Sequence, residues 1–372
     1  MIQRREFMRA GAALAASAAM SRPSFAQSNP EIFSPRPGAW RSFEVVTTLE
    51  LTPVDGRAGP AQAWAPVPAF SAEDWFRPRG SSWTTNAASA ALVKDPRYGS
   101  EMLHLTWAPG EQKPSVEIRS KFSTRGRATD FSKPGAPKPL SAEERALFLA
   151  ATDLIPTGGL VKSTSDKITS GKVGDVEKTR AIYEWIVDNT YRNPATRGCG
   201  TGDIASLLAS GDLGGKCADL NALFVGLARA AGIPARDIYG VRVAPSAFGY
   251  KSLGAGGPTI TKAQHCRAEA WLEGFGWVAM DPADVRKVVL EEPPGKNAVD
   301  DAKVVAARKA LFGAWEGNWL AYNDGHDIAL PGSSGPKLGF LMYPQAEVAG
   351  LRLDCLDPDT FRYTITSAEI SA

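Results

Sequence analysis

The segment Gly214-Gly215-Lys216-Cys217-Ala218-Asp219-Leu220-Asn221-Ala222-Leu223-Phe224 constrains the fold more than any other stretch of the chain. Leu220, Leu223, Phe224, Leu227 and Ala231 recur at helical spacing, and Gly232-Ile233-Pro234 predicts where that helix stops. Cys217 therefore falls in the first turn of a buried helix, directly after a flexible Gly-Gly. There the helix dipole and the unpaired first-turn N–H groups favour thiolate over thiol, and the same N–H groups can stabilise an oxyanion. A cysteine nucleophile needs both. The competing reading is a structural cysteine, since a free Cys packs as a small apolar side chain.

A second segment supplies a base. Gln264-His265-Cys266-Arg267-Ala268-Glu269-Ala270-Trp271-Leu272 reads as a strand, Glu273-Gly274-Phe275-Gly276 as a turn, and Trp277-Val278-Ala279-Met280-Asp281-Pro282 as the return strand. A thiol needs an imidazole to take and return its proton, and the imidazole needs a carboxylate to fix its tautomer. His265 and Asp281 fit those roles, and the chain has only three His. Pairing Leu272 with Trp277 across a four-residue turn sets Asp281 opposite Ala268, on the pleat face away from His265. On that register only a bulge, a strand end or strong twist joins the two side chains.

At these residues the chain resembles the transglutaminase-like superfamily, whose bacterial members are thiol enzymes with Cys, His and Asp in that chain order. The family's Gly-x-Cys and Gly-Ile-Pro-Ala-Arg appear as Gly215-Lys216-Cys217 and Gly232-Ile233-Pro234-Ala235-Arg236. Its His-x-x-x-Glu strand and Gly-Trp-x-x-x-Asp-Pro return appear as His265 to Glu269 and Gly276 to Pro282. The resemblance implies an α+β, papain-like core in which a Cys-bearing helix packs on an antiparallel sheet, with a catalytic triad of Cys217, His265 and Asp281. It makes Tyr191 an oxyanion candidate, because relatives carry a polar aromatic there. Arg267 stands where relatives carry an aromatic, a departure that bears on the cleft wall. Asp219 is expected to complement the helix dipole, Trp277 to pack under the hairpin, and Glu269 to form an internal salt bridge.

The rest of the chain frames this core. Short strand-like runs at 43–51, 61–67, 81–92, 102–107 and 115–122, with Gly and Pro between them, predict a β-sandwich-like domain over 41–132. His104 lies in an alternating run and reads as a structural strand residue. Pro-rich residues 133–140 predict a linker, and Ser141 to Glu144 has capping-box spacing. A helix is expected over 175–189. The core is then 141–372, with strand-like 338–343 and 361–366 completing its sheet. His326, between Asp324 and Asp327, reads as a solvated turn rather than a metal site.

The first 26 residues place Arg4-Arg5-Glu6-Phe7 before an Ala-rich apolar stretch too short to span a bilayer, then Ser24-Phe25-Ala26. This resembles a twin-arginine signal peptide and predicts a periplasmic protein, with 27–40 as a tether and no stable membrane insertion after cleavage. An uncleaved anchor is the alternative. Removing residues 1–26 takes away four Arg and one Glu, so the formal charge falls from +2 to −1. With 22% charged residues and no like-charge run, a nucleic-acid partner is not expected. Four cysteines (199, 217, 266 and 355) are too few for a disulfide framework, and no Cys-x-x-Cys spacing supports a redox pair.

The function these readings favour is exported thiol acyl transfer on peptide or protein amides, hydrolytic rather than cross-linking, with no cofactor or metal and a substrate in the cell envelope. The alternative is a silent scaffold that keeps the fold and binds a partner.

Overall fold

The computed structural model describes residues 33–51, 59–359 and 361–371. The expected signal peptide (1–26) and the first part of the expected tether lie outside these residues.

The chain first lays down β1 (Arg41–Glu50), β2 (Ala61–Pro66), β3 (Phe76–Thr85), β4 (Ser89–Lys94), β5 (Glu101–Trp107), β6 (Ser115–Thr124) and β7 (Arg127–Ala128). Period-2 burial runs along β1, where Phe43, Val45 and Leu49 are buried and Glu44, Val46 and Thr48 are half-exposed. Next come α1 (Ala142–Leu149), α2 (Gly159–Thr169), α3 (Gly174–Asn189), β8 (Tyr191–Arg192), α4 (Ile204–Ser210), β9 (Gly214–Gly215) and α5 (Cys217–Ala230). The capping box before α1 is present, with Glu144 N–H donating to Ser141 Oγ and Ser141 N–H to the Glu144 carboxylate. The chain continues with β10 (Ala235–Arg242), β11 (Gln264–Leu272), β12 (Gly276–Met280), α6 (Pro282–Glu291), α7 (Ala302–Ala310), β13 (Ala314–Trp315) and β14 (Trp319–Asn323). It ends with β15 (His326–Ile328), β16 (Leu338–Phe340), β17 (Gln345–Val348), β18 (Leu351–Arg352) and β19 (Tyr363–Ile370).

Two antiparallel sheets, ordered β19-β1-β6-β3 and β18-β17-β2-β5-β4, share one hydrophobic core that includes Phe43, Leu49, Ala63, Leu103, Leu105 and Phe122. A third antiparallel sheet, β12-β11-β10-β14, carries α5. Residues 217–229 of α5 are all buried, so the helix is enclosed on every side by the sheet and by α2, α3 and α6. Among the described residues no helix is long and apolar enough to cross a membrane.

Several expectations are corrected. Residues 81–92 are not one strand: the chain turns at 86–88, and β3 and β4 enter different sheets. The C-terminal strands do not complete the core sheet. β19 pairs with β1, β17 pairs with β2, and β16 pairs only with β15. The division into 41–132 and 141–372 therefore does not follow the strand pairing, because the sandwich is closed by the end of the chain. Alternating burial shows that a segment is a strand and says nothing of its partner. The end of the tether is docked rather than free, with Phe33 buried between Phe248 and Tyr250 at ring distances of 5.3 and 4.9 Å. The linker is tied to the β11–β12 turn by Gly135 N–H donating to Gly274 O at 2.7 Å. Buried Glu269 links the two parts, accepting from Arg127 of β7 and from Arg236 of β10. That is the expected internal salt bridge, doubled. His104 stacks on Trp64 at 5.3 Å, a structural strand histidine.

Candidate active site

Cys217 is the first residue of α5, and the extended Lys216 before it is the N-cap. The thiol thus sits where the helix leaves its amides without intrahelical partners. Ala218 N–H is taken by Cys199 O at 2.8 Å. Asp219 does more than complement the dipole: its carboxylate accepts from the N–H groups of Lys216, Thr201 and Gly202 at 2.9–3.0 Å. It binds the 199–202 loop to the nucleophile turn. Gly200 has φ +96°, and a Cβ there would stand 1.9 Å from Asp219 Oδ2, so the close approach requires glycine.

His265 and Asp281 meet. Leu272 pairs with Gly276 and Ala268 with Met280, so the turn spans three residues and the register is one residue tighter than expected. That slip moves Asp281 onto the pleat face shared by Arg267 and His265. Asp281 also ends the strand and caps α6, accepting from Asp284 N–H at 3.1 Å. His265 Nε2 lies 2.7 Å from Asp281 Oδ2, which leaves Nδ1 for the thiol. Asn221, one turn along α5 from Cys217, donates to Asp281 Oδ1 at 3.1 Å and to Cys266 O at 2.9 Å. Trp319 Nε1–H donates to His265 O at 3.0 Å, its indole crossing over Gly240, where a Cβ would meet the ring at 2.6 Å.

The electrostatics favour an ion pair. Burial and Arg242 push the His265 imidazole down, but Asp284 and Asp281 outweigh them and raise it to about 9. The Cys217 thiol is held well below its ordinary value, first by the neighbouring thiols of Cys199 and Cys266 and further by His265. Cys199 and Cys266 are both pushed up, so Cys217 is the acidic member of the trio. Asp284 is held well below the carboxylate range despite burial, because Arg242 Nη2 donates to both its oxygens at 2.6 and 2.9 Å. At neutral pH these directions give thiolate and imidazolium side by side, the state a nucleophilic cysteine requires.

Cys217 and His265 open into a cleft of about 550 Å³ that Cys199, Gln264, Arg242 and Tyr343 also line. The family model of the transglutaminase-like superfamily matches residues 162–282, which contain Cys217, His265 and Asp281. A Haemophilus influenzae protein described as uncharacterized is 36% identical over 343 residues, covering 88% of this chain and 91% of that one. The chain belongs to the transglutaminase-like superfamily. The crystal structure of a proposed cysteine protease from Cytophaga hutchinsonii, 14% identical, superimposes with a TM-score of 0.54 over 90% of this chain and 92% of that one. It shares the superfamily's papain-like fold.

Two superfamily expectations are corrected. Tyr191 is not in the cleft: it is 41% exposed, its ring covers Gly214, and its hydroxyl donates to Asp212 at 2.8 Å. Neighbouring residues of an extended segment point opposite ways, so Arg192 lines the cleft instead. Arg267 does not shape the cleft wall. It is buried over Trp315 and Trp319, at 5.1 and 4.8 Å from the ring centres, with Nη1 donating to Glu316 O and Nε 3.9 Å from Asp281 Oδ2. Trp277 is half-buried on β12, with the Arg236 guanidinium of β10 4.0 Å from its ring centre and the Phe148 ring of α1 at 5.0 Å.

Arg242, Asp284 and Asn221 escaped the sequence reading, although two local signals were available. Asn221 follows Cys217 by one helical turn, and Asp284 follows Asp281 at capping distance. The three cysteines gave no signal of their own, being 18 and 49 residues apart in sequence, yet Cys199, Cys217 and Cys266 have sulfurs within 4.8 Å of one another. The close thiol neighbours that a redox reading lacked are present, and all four cysteines are free. Those sulfurs have the spacing to share a soft cation, and His265, Asp281 and Asp284 have the spacing to share a hard one. Arg242 already occupies both oxygens of Asp284.

His326 is not a solvated turn residue: it is buried in β15, with Nδ1 3.4 Å from the Tyr239 hydroxyl and Nε2 3.9 Å from Asp237. Burial holds its imidazole well below the ordinary value, so it stays neutral.

Proposed function

We propose that this protein is a thiol acyl-transfer enzyme acting on peptide or protein amides, with water as the acceptor. The observation that carries this reading is the 2.7 Å bond from His265 to Asp281 beside a Cys217 thiol held well below its ordinary value. The Cys217 thiolate attacks the amide carbon, and the N–H of Cys217 at the start of α5 stabilises the oxyanion. The C–N bond breaks as His265 gives its proton to the leaving amine, and an acyl-thioester remains on Cys217. Neutral His265 then takes a proton from water, the hydroxide attacks the thioester, and the acid leaves. Collapse of the tetrahedral adduct expels the Cys217 thiolate beside the His265 imidazolium that already holds the proton from water, and this restores the ion pair. Asp281 keeps the imidazole oriented throughout. Water is favoured as acceptor because the cleft is open and polar.

The test is trapping of an acyl-enzyme from a peptide mixture, identified by mass on the Cys217 peptide. A captured acyl group that is lost in His265→Ala and released by water supports the reading. A Cys217 no more reactive than a free thiol, and indifferent to His265→Ala, leaves the scaffold reading in its place. The proposed location is the periplasm, resting on Arg4-Arg5-Glu6-Phe7 and the small residues before position 27. Retention in the cytoplasm of both wild type and an Arg4→Lys, Arg5→Lys variant would overturn it.

A further inference from the structure

Besides His265, five Arg and Lys side chains line the cleft: Arg192, Lys216, Arg242, Lys262 and Lys287. Among the described residues lining it there is no Asp or Glu. Three of the five are answered from behind the wall. Arg242 is bonded to Asp284, Arg192 to Glu291, and Lys287 stands 3.8 Å from Glu291. Lys216 and Lys262 have no carboxylate within ion-pair distance among the described residues, although Lys216 is adjacent to the nucleophile and Lys262 stands three residues before His265. Gln264 adds a neutral donor, since its buried Nε2 has no hydrogen-bond partner among the described residues. The asymmetry does not come from the composition, because the whole chain carries 42 basic and 40 acidic residues. A concave wall of one sign focuses its potential on the space it encloses.

We propose that the cleft selects an anionic substrate: a peptide with carboxylate side chains flanking the scissile amide, held by Lys216 and Lys262. This rests on the acyl-transfer reading of Cys217 and names its substrate class. A carboxylate beside the scissile bond meets Lys216 on the nucleophile side and Lys262 on the base side. A basic peptide meets two uncompensated like charges there, a repulsion that acts against the wrong partner.

The probe is alkylation of Cys217 in the full chain, comparing anionic iodoacetate with neutral iodoacetamide at neutral pH and low salt. The imidazolium itself favours the anion, so the decisive quantity is how the rate ratio responds to the two lysines. In a Lys216→Gln, Lys262→Gln variant the iodoacetate-to-iodoacetamide ratio falls about five- to tenfold, and ~0.5 M salt lowers the wild-type ratio in the same direction. An unchanged iodoacetamide rate shows that the site still folds. A ratio indifferent to both the substitutions and salt overturns the proposal. A second measurement compares binding of two matched peptides, Glu-flanked and Lys-flanked, to a Cys217→Ser variant. Tighter binding of the Glu peptide, lost when both lysines are replaced, supports the assignment. Equal binding of the two overturns it, whatever the alkylation ratio does. Neither arm needs turnover, so failure of acyl transfer and failure of anion selection remain distinguishable.

Discussion

His265 Nε2 and Asp281 Oδ2 lie 2.7 Å apart because the β11–β12 turn holds three residues rather than four. One residue of register decides whether the carboxylate faces the imidazole or the opposite side of the sheet. Asp281→Asn keeps an acceptor for the α6 cap and removes the charge that steadies the imidazolium. Acyl transfer is expected to fall by roughly 10³ to 10⁴-fold, with the fold retained. Single-turnover kinetics together with circular dichroism check both halves of this expectation.

The pH dependence follows from the same ion pair. His265 is raised to about 9, so its proton is available to the leaving amine up to that pH and lost above it. Acyl transfer should decline through about pH 9, whereas alkylation, which needs only the thiolate, should not. Linkage has the same sign. An imidazole with a raised native pKa contributes stability that is full below its unfolded value and lost as pH rises through about 9. Asp284→Asn removes the largest raising influence on His265 and should move the alkaline limb of the rate profile down.

Cys199 is the first cause of the low Cys217 value, yet its Sγ also lies 3.3 Å from Gln264 O. One S–H serves one acceptor at a time, so thiolate and carbonyl compete for it. Cys199→Ala leaves the thiolate without that donor. The midpoint of its iodoacetamide reactivity, followed by mass spectrometry across pH, should rise. A midpoint unmoved by the substitution places the control of Cys217 in the helix terminus and His265 alone.

Asp237 is buried with no hydrogen-bond partner for either carboxylate oxygen among the described residues, and burial raises it to about 7. The native carboxyl holds its proton to about pH 7 while the unfolded chain releases it near 3.8, so the wild type loses stability between those values and none above them. Asp237→Asn should remove this slope and raise the melting temperature at pH 8 by a few degrees, on the order of 1–2 kcal/mol. Thermal scans at pH 5 and pH 8 give the comparison.

Gly200→Ala combines a left-handed backbone with a Cβ 1.9 Å from the Asp219 carboxylate. A loss of about 2–4 kcal/mol is expected, together with loss of the amide grip that Asp219 holds on the 201–202 loop. Chemical denaturation reads the first. A drop in the alkylation rate of Cys217 under native conditions reads the second.

The sequence by itself determined the nucleophile helix and the base-bearing hairpin of this protein, and the three residue types of the triad. Leucine spacing along 220–231 marks a buried helix with Cys217 at its start, and Gly276-Trp277 with Asp281-Pro282 marks the return strand of a hairpin. These are local signals, written in periodicity and turn chemistry within a few residues. Tertiary structure alone decided which strand β19 would pair with, that Tyr191 would turn outward while Arg192 turned in, and that Cys199 and Cys266 would stand beside Cys217. Each of these joins positions far apart in the chain or on opposite faces of one segment. They are set by which surfaces can be buried together, a condition that no single stretch of sequence carries.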